Sequence, residues 1–272
     1  MNKSRDWLNS EKNWIIEVDI TFRCNLSCRH CNRLCNSERK YNIIRKNPDM
    51  KMKHIDYLCM EIKRFPKGKI QLIRIIGGEP LLSPILLSAV QKFEVLLNEN
   101  YINEINIVTN GTISIPDEIR KYIVFSPQII GSLFENQGIL SKETVMSIKD
   151  QKHRNITIAP NDFNLQAEIC DRVLTCGINY SIYGFSLCAP CLPTMIIFPK
   201  NHNKFLYSIP TQFSDFLVKD YLRDVCINCS FSINILTVKQ KSDIKSPHII
   251  GKNWQVQINK NKTSYTEPKT LW

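Results

Sequence analysis

The sequence predicts an α/β fold built on a parallel sheet, and three observations predict it. Short β-branched runs alternate with stretches of helical periodicity from Trp14 to Ala159. The spacing leaves a helix-length connection between most successive strands, which is what parallel pairing with right-handed crossovers requires. The loops that follow the first three strands each carry residues suited to chemistry, and in such sheets the C-terminal strand ends form the active edge.

Each element has a local reason. Trp14 to Thr21 (WIIEVDIT) is apolar and β-branched, a first strand that ends in a cysteine-bearing loop. Ile55, Leu58, Cys59, Ile62 and Phe65 recur at helical spacing, so a helix is expected over about residues 53–65. Gln71 to Ile76 reads as a buried strand ending at Gly77-Gly78. Ser83-Pro84 reads as a helix start, with Leu86, Ala89, Val90, Phe93, Leu96 and Leu97 as the apolar face. Ile105 to Thr109 is the next strand, followed by Asn110-Gly111. A short helix at 116–121, a strand at Ile123–Phe125, a helix from Ser141 to about Lys149 and a strand at Ile156–Ala159 complete the pattern. After Pro160 hairpin-like strands appear, then a helix over about Gln212–Asp224, and a boundary is expected near residue 165.

Composition bounds the class. A chain of 272 residues with 43% hydrophobic content can bury a sizeable core. The first 14 residues are polar and mixed in charge, and no run of about 18 apolar residues occurs. A soluble cytoplasmic chain with no membrane partner is the expectation. The net charge of +11 is spread along the sequence rather than gathered in a patch, so nucleic acid is not the expected partner. Eleven cysteines are many for such a chain, and in a reducing compartment clustered cysteines read as metal ligands or redox groups.

Cys24-Asn-Leu-Ser-Cys28-Arg-His-Cys31 spaces three thiols as CxxxCxxC in one loop. Three thiolates can wrap one face of a cubane [4Fe-4S] cluster and leave the fourth iron open to a ligand. A zinc site is the alternative, with Cys35 or His30 as a fourth donor. Cys59, on the apolar stripe of its helix, reads as a packing cysteine.

With Gly77-Gly78-Glu79-Pro80 after the second strand and Thr109-Asn110-Gly111 after the third, the chain resembles the radical S-adenosylmethionine (SAM) superfamily over about residues 14–160. The resemblance implies a partial (β/α)6 TIM-like barrel followed by a small cysteine-rich α+β auxiliary-cluster domain. It implies that Cys24, Cys28 and Cys31 hold the SAM-binding cluster and that SAM chelates the open iron. Gly77, Gly78, Glu79 and Pro80 would then lie at the SAM amino group, Thr109 and Asn110 near SAM, and His30 beside the adenine. Cys35 would be structural, because a fourth thiolate would displace SAM.

The later cysteines extend the resemblance. Gly184, Cys188 and Cys191, followed by Cys226-x-x-Cys229, look like the auxiliary-cluster regions called SPASM and twitch. The best match for one auxiliary [4Fe-4S] cluster is Cys170, Cys188, Cys226 and Cys229; Cys176 could replace Cys170, and Cys191 could replace Cys188. A structural zinc ribbon on Cys188/Cys191 and Cys226/Cys229 is the other reading. The expected division is residues 1–165 for the partial barrel, 166–235 for the twitch-like region and 236–272 for a polar tail.

By the same resemblance, SAM is cleaved reductively to a 5′-deoxyadenosyl radical that abstracts a substrate hydrogen, with a flavodoxin or ferredoxin as the kind of reductant that feeds the cluster. An auxiliary cluster able to accept the electron left on the substrate points to net dehydrogenation of a small-molecule biosynthetic intermediate, as in aminocyclitol dehydrogenases. Peptide modification, as in anaerobic sulfatase maturation, is the alternative. It is less expected with about 23 residues ahead of the triad. Radical epimerisation or decarboxylation shares the same first step. A non-catalytic metal-binding module on nucleic acid is a more distant alternative, and it leaves Gly77-Gly78-Glu79-Pro80 without a reason.

Overall fold

The computed structural model describes residues 14–28, 31, 33–35, 45–125, 140–145, 177–188, 191–210, 220–221, 224–225, 257, 260 and 266–271. Strand β1 (Trp14–Thr21) is followed by helix α1 (Met52–Ile62), β2 (Ile70–Gly77), helix α2 (Leu86–Asn98), β3 (Ile102–Thr109) and β4 (Ile123–Phe125). Beyond these come β5 (Ile178–Ser181), β6 (Gly184–Ser186) and a short helix, α3 (Cys191–Ile197). The strands form one open sheet in the order β4-β3-β2-β1-β5-β6. Every neighbouring pair is parallel except β5 and β6, which form an antiparallel hairpin.

β1 is the interior strand on which the sheet is registered. Val18 stands opposite Ile75 of β2 on one side and Tyr180 of β5 on the other. The sheet therefore takes a neighbour for β1 from each side of residue 165. Alternation gives β1 two characters, because successive side chains point to opposite faces. Ile16, Val18 and Ile20 are fully buried on the apolar side, whereas Glu17, Asp19 and Thr21 occupy the other.

The helices cover the apolar side. α1 buries Ile55, Leu58 and Ile62, and α2 buries Leu86, Ala89, Val90, Phe93 and Leu96. That is the 3.6-residue stripe expected from the sequence. These side chains join Ile73 and Ile75 of β2 and Ile105 and Ile107 of β3 in one core. Each large aliphatic side chain so buried contributes about 1.5–3 kcal/mol. Cys59 is half-buried on α1 and packs against this core.

Several boundaries differ from expectation: α1 ends at Ile62 rather than near residue 65, and β3 begins at Ile102 rather than Ile105. The helix expected at Ser83-Pro84 begins at Leu86, after a 3₁₀ turn at Pro80–Leu82. The Glu79 side chain caps that turn by accepting from the Leu81 N–H. Ser83 then runs extended, which interrupts the helix before it can start. The helix expected at 116–121 is a 3₁₀ segment, Asp117–Tyr122. Ser141 caps a helical turn at 142–145 by accepting from the Thr144 N–H. The strand expected at 156–159 and most of the helix expected at 212–224 lie outside the described residues.

The ends of β1 and β2 meet at unusually short range. Gly77 has φ 131, and a β-carbon there would stand 2.3 Å from the Thr21 carbonyl oxygen. One on Gly78 would stand 2.0 Å from the Arg23 carbonyl oxygen. Only glycine admits backbone this close. The approach is sealed by the Gly78 N–H to the Thr21 carbonyl and the Glu79 N–H to the Arg23 carbonyl, both 2.7 Å.

Two predictions follow from this packing. Gly78→Ala forces the backbone at Arg23 to move and is expected to lower the unfolding free energy by about 1–3 kcal/mol. Gly68→Ala, at φ 76 with open space around it, bears backbone strain alone and is expected to cost less in the same urea titration. The second concerns His54, whose Nδ1 accepts from the Lys51 N–H at the start of α1. Burial holds its imidazole below the ordinary 6.5, against the opposing pull of the Lys51 backbone. The unfolded chain therefore takes up the proton first as pH falls. Stability present above pH 6.5 should decline below it, and the decline should be shallower in His54→Gln.

Candidate functional site

The cysteine loop leaves the end of β1 and folds back on itself. Cys24, Cys28 and Cys31 are each partly exposed on it. Backbone amides point at two of the sulfurs: the Leu26 N–H at Cys24 Sγ (3.5 Å) and the Cys35 N–H at Cys31 Sγ (3.3 Å). Such amides favour the thiolate over the thiol. Leu34, at φ 55, sits in the left-handed region that costs a side-chain-bearing residue about 1–2 kcal/mol. The turn is held by the Leu34 N–H to the Cys31 carbonyl and by Arg45, whose guanidinium donates to the carbonyls of Arg33 and Leu34. Arg45 also lies over the Phe22 ring.

Cys35 is buried in the core beside Cys31. Hydrogen bonding with Cys31, together with burial, pushes its thiol well above the usual range. It therefore stays protonated at neutral pH. Among the described residues no three His, Cys, Asp or Glu side chains are gathered as they would be round one ion. The chemistry of the loop's donor set, three thiols with amides aimed at two of them, fits a [4Fe-4S] cluster with three protein ligands.

The motifs after β2 and β3 are tied to this loop by a continuous set of hydrogen bonds. Glu79 is fully buried. Its Oε1 accepts from Leu81 N–H (3.1 Å) and Thr109 Oγ1 (2.8 Å), and its Oε2 accepts from Asn110 N–H (2.8 Å). The Asn110 amide donates to Asn25 Oδ1 (2.9 Å), and Asn25 donates to Thr112 Oγ1 (2.8 Å). Thr112 closes the ring by donating to Asn110 Oδ1 from its N–H and its hydroxyl. Gly78, Glu79 and Asn110 thus bond directly to residues at and after the end of β1, Gly77 packs against Thr21, Thr109 is joined through Glu79, and Pro80 is buried in the turn beside them. Asn25 was not among the residues singled out from sequence; its place directly after Cys24 is the signal that could have found it.

A second group missed by the sequence reading lies on the polar face of β1. Arg33, two residues after Cys31, is buried and forks onto both carboxylates: Nε to Asp19 Oδ1 (2.8 Å) and Nη2 to Glu17 Oε2 (2.7 Å). Glu17 Oε1 takes Arg74 of β2 at 2.9 Å, and Asp19 Oδ2 takes the Asn179 amide of β5 at 2.6 Å. Burial raises the Asp19 carboxyl above the ordinary value, opposed by Arg33 and Asn179. Burial also works against the Arg33 charge, but Asp19 and Glu17 outweigh it and hold the guanidinium fully protonated. The signal was present in the alternation of Glu17 and Asp19 with Ile16, Val18 and Ile20.

Cys188 and Cys191 are both buried at the end of the β5–β6 hairpin, and the Cys191 N–H donates to the Cys188 carbonyl. Ser186 Oγ donates to the same carbonyl at 3.2 Å. His30, Cys170, Cys176, Cys226 and Cys229 lie outside the described residues. No helix among the described residues is long and apolar enough to cross a membrane.

Comparison with known proteins agrees with this geometry. Residues 18–129 match the family model described as the Radical SAM superfamily. A probable GTP 3′,8-cyclase of Methanothermobacter marburgensis is 31% identical over 98 residues, which cover 36% of this chain and 28% of that protein. The GTP 3′,8-cyclase of Nitrobacter hamburgensis is 27% identical over 97 residues, 36% of this chain and 26% of that protein. The match thus spans little more than a quarter of each relative. The cysteine loop, the Gly-Gly-Glu-Pro turn and the Thr-Asn-Gly turn all fall inside residues 18–129, so it is this segment that matches the radical SAM superfamily, a family that implies a [4Fe-4S] cluster and SAM.

Proposed function

We propose that this protein cleaves SAM reductively at a [4Fe-4S] cluster held by Cys24, Cys28 and Cys31, and uses the radical to take a hydrogen atom from a small organic substrate. The observation that carries the reading is the close approach of Gly77-Gly78 to Thr21 and Arg23, which brings three motifs of separate strands to one edge. With such a cluster and SAM bound there, the chemistry supplied would be one-electron cleavage of a sulfonium C–S bond, giving methionine and a carbon radical able to take hydrogen from an unactivated C–H bond.

The chain's own groups bind and position. The family resemblance assigns Gly77, Gly78, Glu79 and Pro80 to the SAM amino group. Because both Glu79 oxygens are engaged, its main work is to hold the ends of β2 and β3 in register. His30 is assigned the adenine side by the family resemblance. Cys35, buried beside Cys31, is assigned a structural role that leaves the fourth iron to SAM.

For the later step we favour net dehydrogenation, with an auxiliary [4Fe-4S] cluster on Cys170, Cys188, Cys226 and Cys229 accepting the substrate electron. Burial of Cys188 and Cys191 beside the hairpin supports a ligand role in that region. A flavodoxin or ferredoxin is the kind of reductant assigned to the first cluster. Nucleotide cyclisation, the activity named for the two relatives, is the second reading, favoured by 97–98 aligned residues.

Anaerobic reconstitution tests the scheme. About eight irons per chain are expected, with 5′-deoxyadenosine formed from SAM and dithionite. Cys24→Ala should abolish that product. Cys226→Ala should keep it while losing about half of the iron, and full retention would remove the auxiliary assignment. Colourless protein holding zinc alone would sink the enzymatic reading. Parallel incubations with GTP and with amino-alcohol substrates, read by mass, separate cyclisation from dehydrogenation. Glu79→Ala leaves two buried donors, the Thr109 hydroxyl and the Asn110 N–H, and the part-buried Leu81 N–H without an acceptor, and should cost about 1–3 kcal/mol of stability in urea unfolding. It should also weaken SAM cleavage, with Glu79→Gln intermediate in both measurements.

A further inference from the structure

We propose that Arg33 is a positioning residue that sets where the Cys31 thiolate stands, and thereby how firmly the [4Fe-4S] cluster is held and in what electronic state. This rests on the reading of Cys24, Cys28 and Cys31 as the cluster ligands. Arg33, Leu34 and Cys35 form the turn that wraps Cys31: the Leu34 N–H binds the Cys31 carbonyl and the Cys35 N–H points at the Cys31 sulfur. That turn contains a left-handed leucine, a strained conformation that its two local hydrogen bonds hold only with support from outside the turn. It is fastened from below by the Arg33 fork onto Glu17 and Asp19, and from the side by Arg45 on the carbonyls of Arg33 and Leu34.

The fork fixes the turn relative to more than one strand. Glu17 and Asp19 belong to β1, Glu17 is shared with Arg74 of β2, and Asp19 is shared with Asn179 of β5. Cys31 is therefore referenced to three adjacent strands through side chains of which Glu17, Asp19, Arg33 and Asn179 are buried and Arg74 is partly exposed. A guanidinium can hold both carboxylates in fixed geometry, whereas an ammonium on a flexible stem cannot. Groups that orient metal ligands in this way tune both affinity and redox behaviour.

The test compares three reconstituted variants. Arg33→Lys keeps the charge and loses the fork. Asp19→Asn keeps the shape but removes the charge that holds one arm and the oxygen that accepts from Asn179. Arg74→Lys disturbs the same Glu17 without touching the loop. Far-ultraviolet circular dichroism checks folding. The readouts are the rate of iron release to a chelator and the EPR spectrum and midpoint potential of the reduced cluster. Arg33→Lys is expected to release iron about tenfold faster and to shift the EPR signal. Asp19→Asn should shift both in the same direction by less, and Arg74→Lys, which loosens Glu17 from β2 and leaves the fork in place, by less still. A folded Arg33→Lys with parental retention and spectrum overturns the proposal, as does Arg74→Lys with an effect as large. If Arg33→Lys does not fold, Asp19→Asn decides on the same readouts. Failure of the underlying cluster reading shows differently: Cys24→Ala would then retain the parent's iron.

Discussion

Everything at the candidate site depends on two glycines that let the backbone at the end of β2 press against the backbone at the end of β1. With no β-carbon at Gly77 or Gly78, the Thr21 and Arg23 carbonyls can accept the next two amides of the neighbouring strand end at 2.7 Å. The approach delivers Glu79 to a buried position from which one carboxylate reaches Thr109 and Asn110 at the end of β3. Asn110 then reaches Asn25 in the cysteine loop. Three strand ends are thus joined by groups whose hydrogen bonds are mutually satisfied, which is the condition under which buried polar networks hold a single geometry.

Beneath that ring lies a cost the fold accepts. Placing Glu17, Asp19 and Arg33 out of water opposes their charges, and a buried ion pair seldom adds net stability over apolar packing. Removing one partner is another matter, since it strands a buried charge. The group therefore contributes little to how stable the sheet is and much to where the cysteine turn rests on it. The two faces of β1 divide the work: Ile16, Val18 and Ile20 anchor the strand to α1 and α2, and the charged face carries the loop.

The family match falls on the part of the chain where these contacts occur. Residues 18–129 hold every group of the three-strand ring, and the two GTP 3′,8-cyclases align over about that much of their own chains. The β5–β6 hairpin lies beyond the matched region yet completes the surroundings of β1, with Asn179 on Asp19 and Tyr183 against Phe22. The chain end returns to the same place: Glu267 accepts from Tyr183 and Lys46, and the Leu271 N–H donates to the Ile182 carbonyl. Residues far apart in sequence support the cysteine loop from this side.

Local pattern was enough to read the strands and helices from Trp14 to Phe125, the motifs at three strand ends and the family they point to, because periodicity, glycine and cysteine spacing are properties of short segments. The late start of α2 was not legible, since Glu79 caps a turn that Ser83-Pro84 does not announce. The partners of Glu17, Asp19 and Asn25 could not be read either. Arg33 and Asn179 stand 14 and 160 residues from Asp19, and Asn110 stands 85 from Asn25. Which charge meets which is decided by strand order and register, and those are set by the whole sheet and its packing rather than by any one segment.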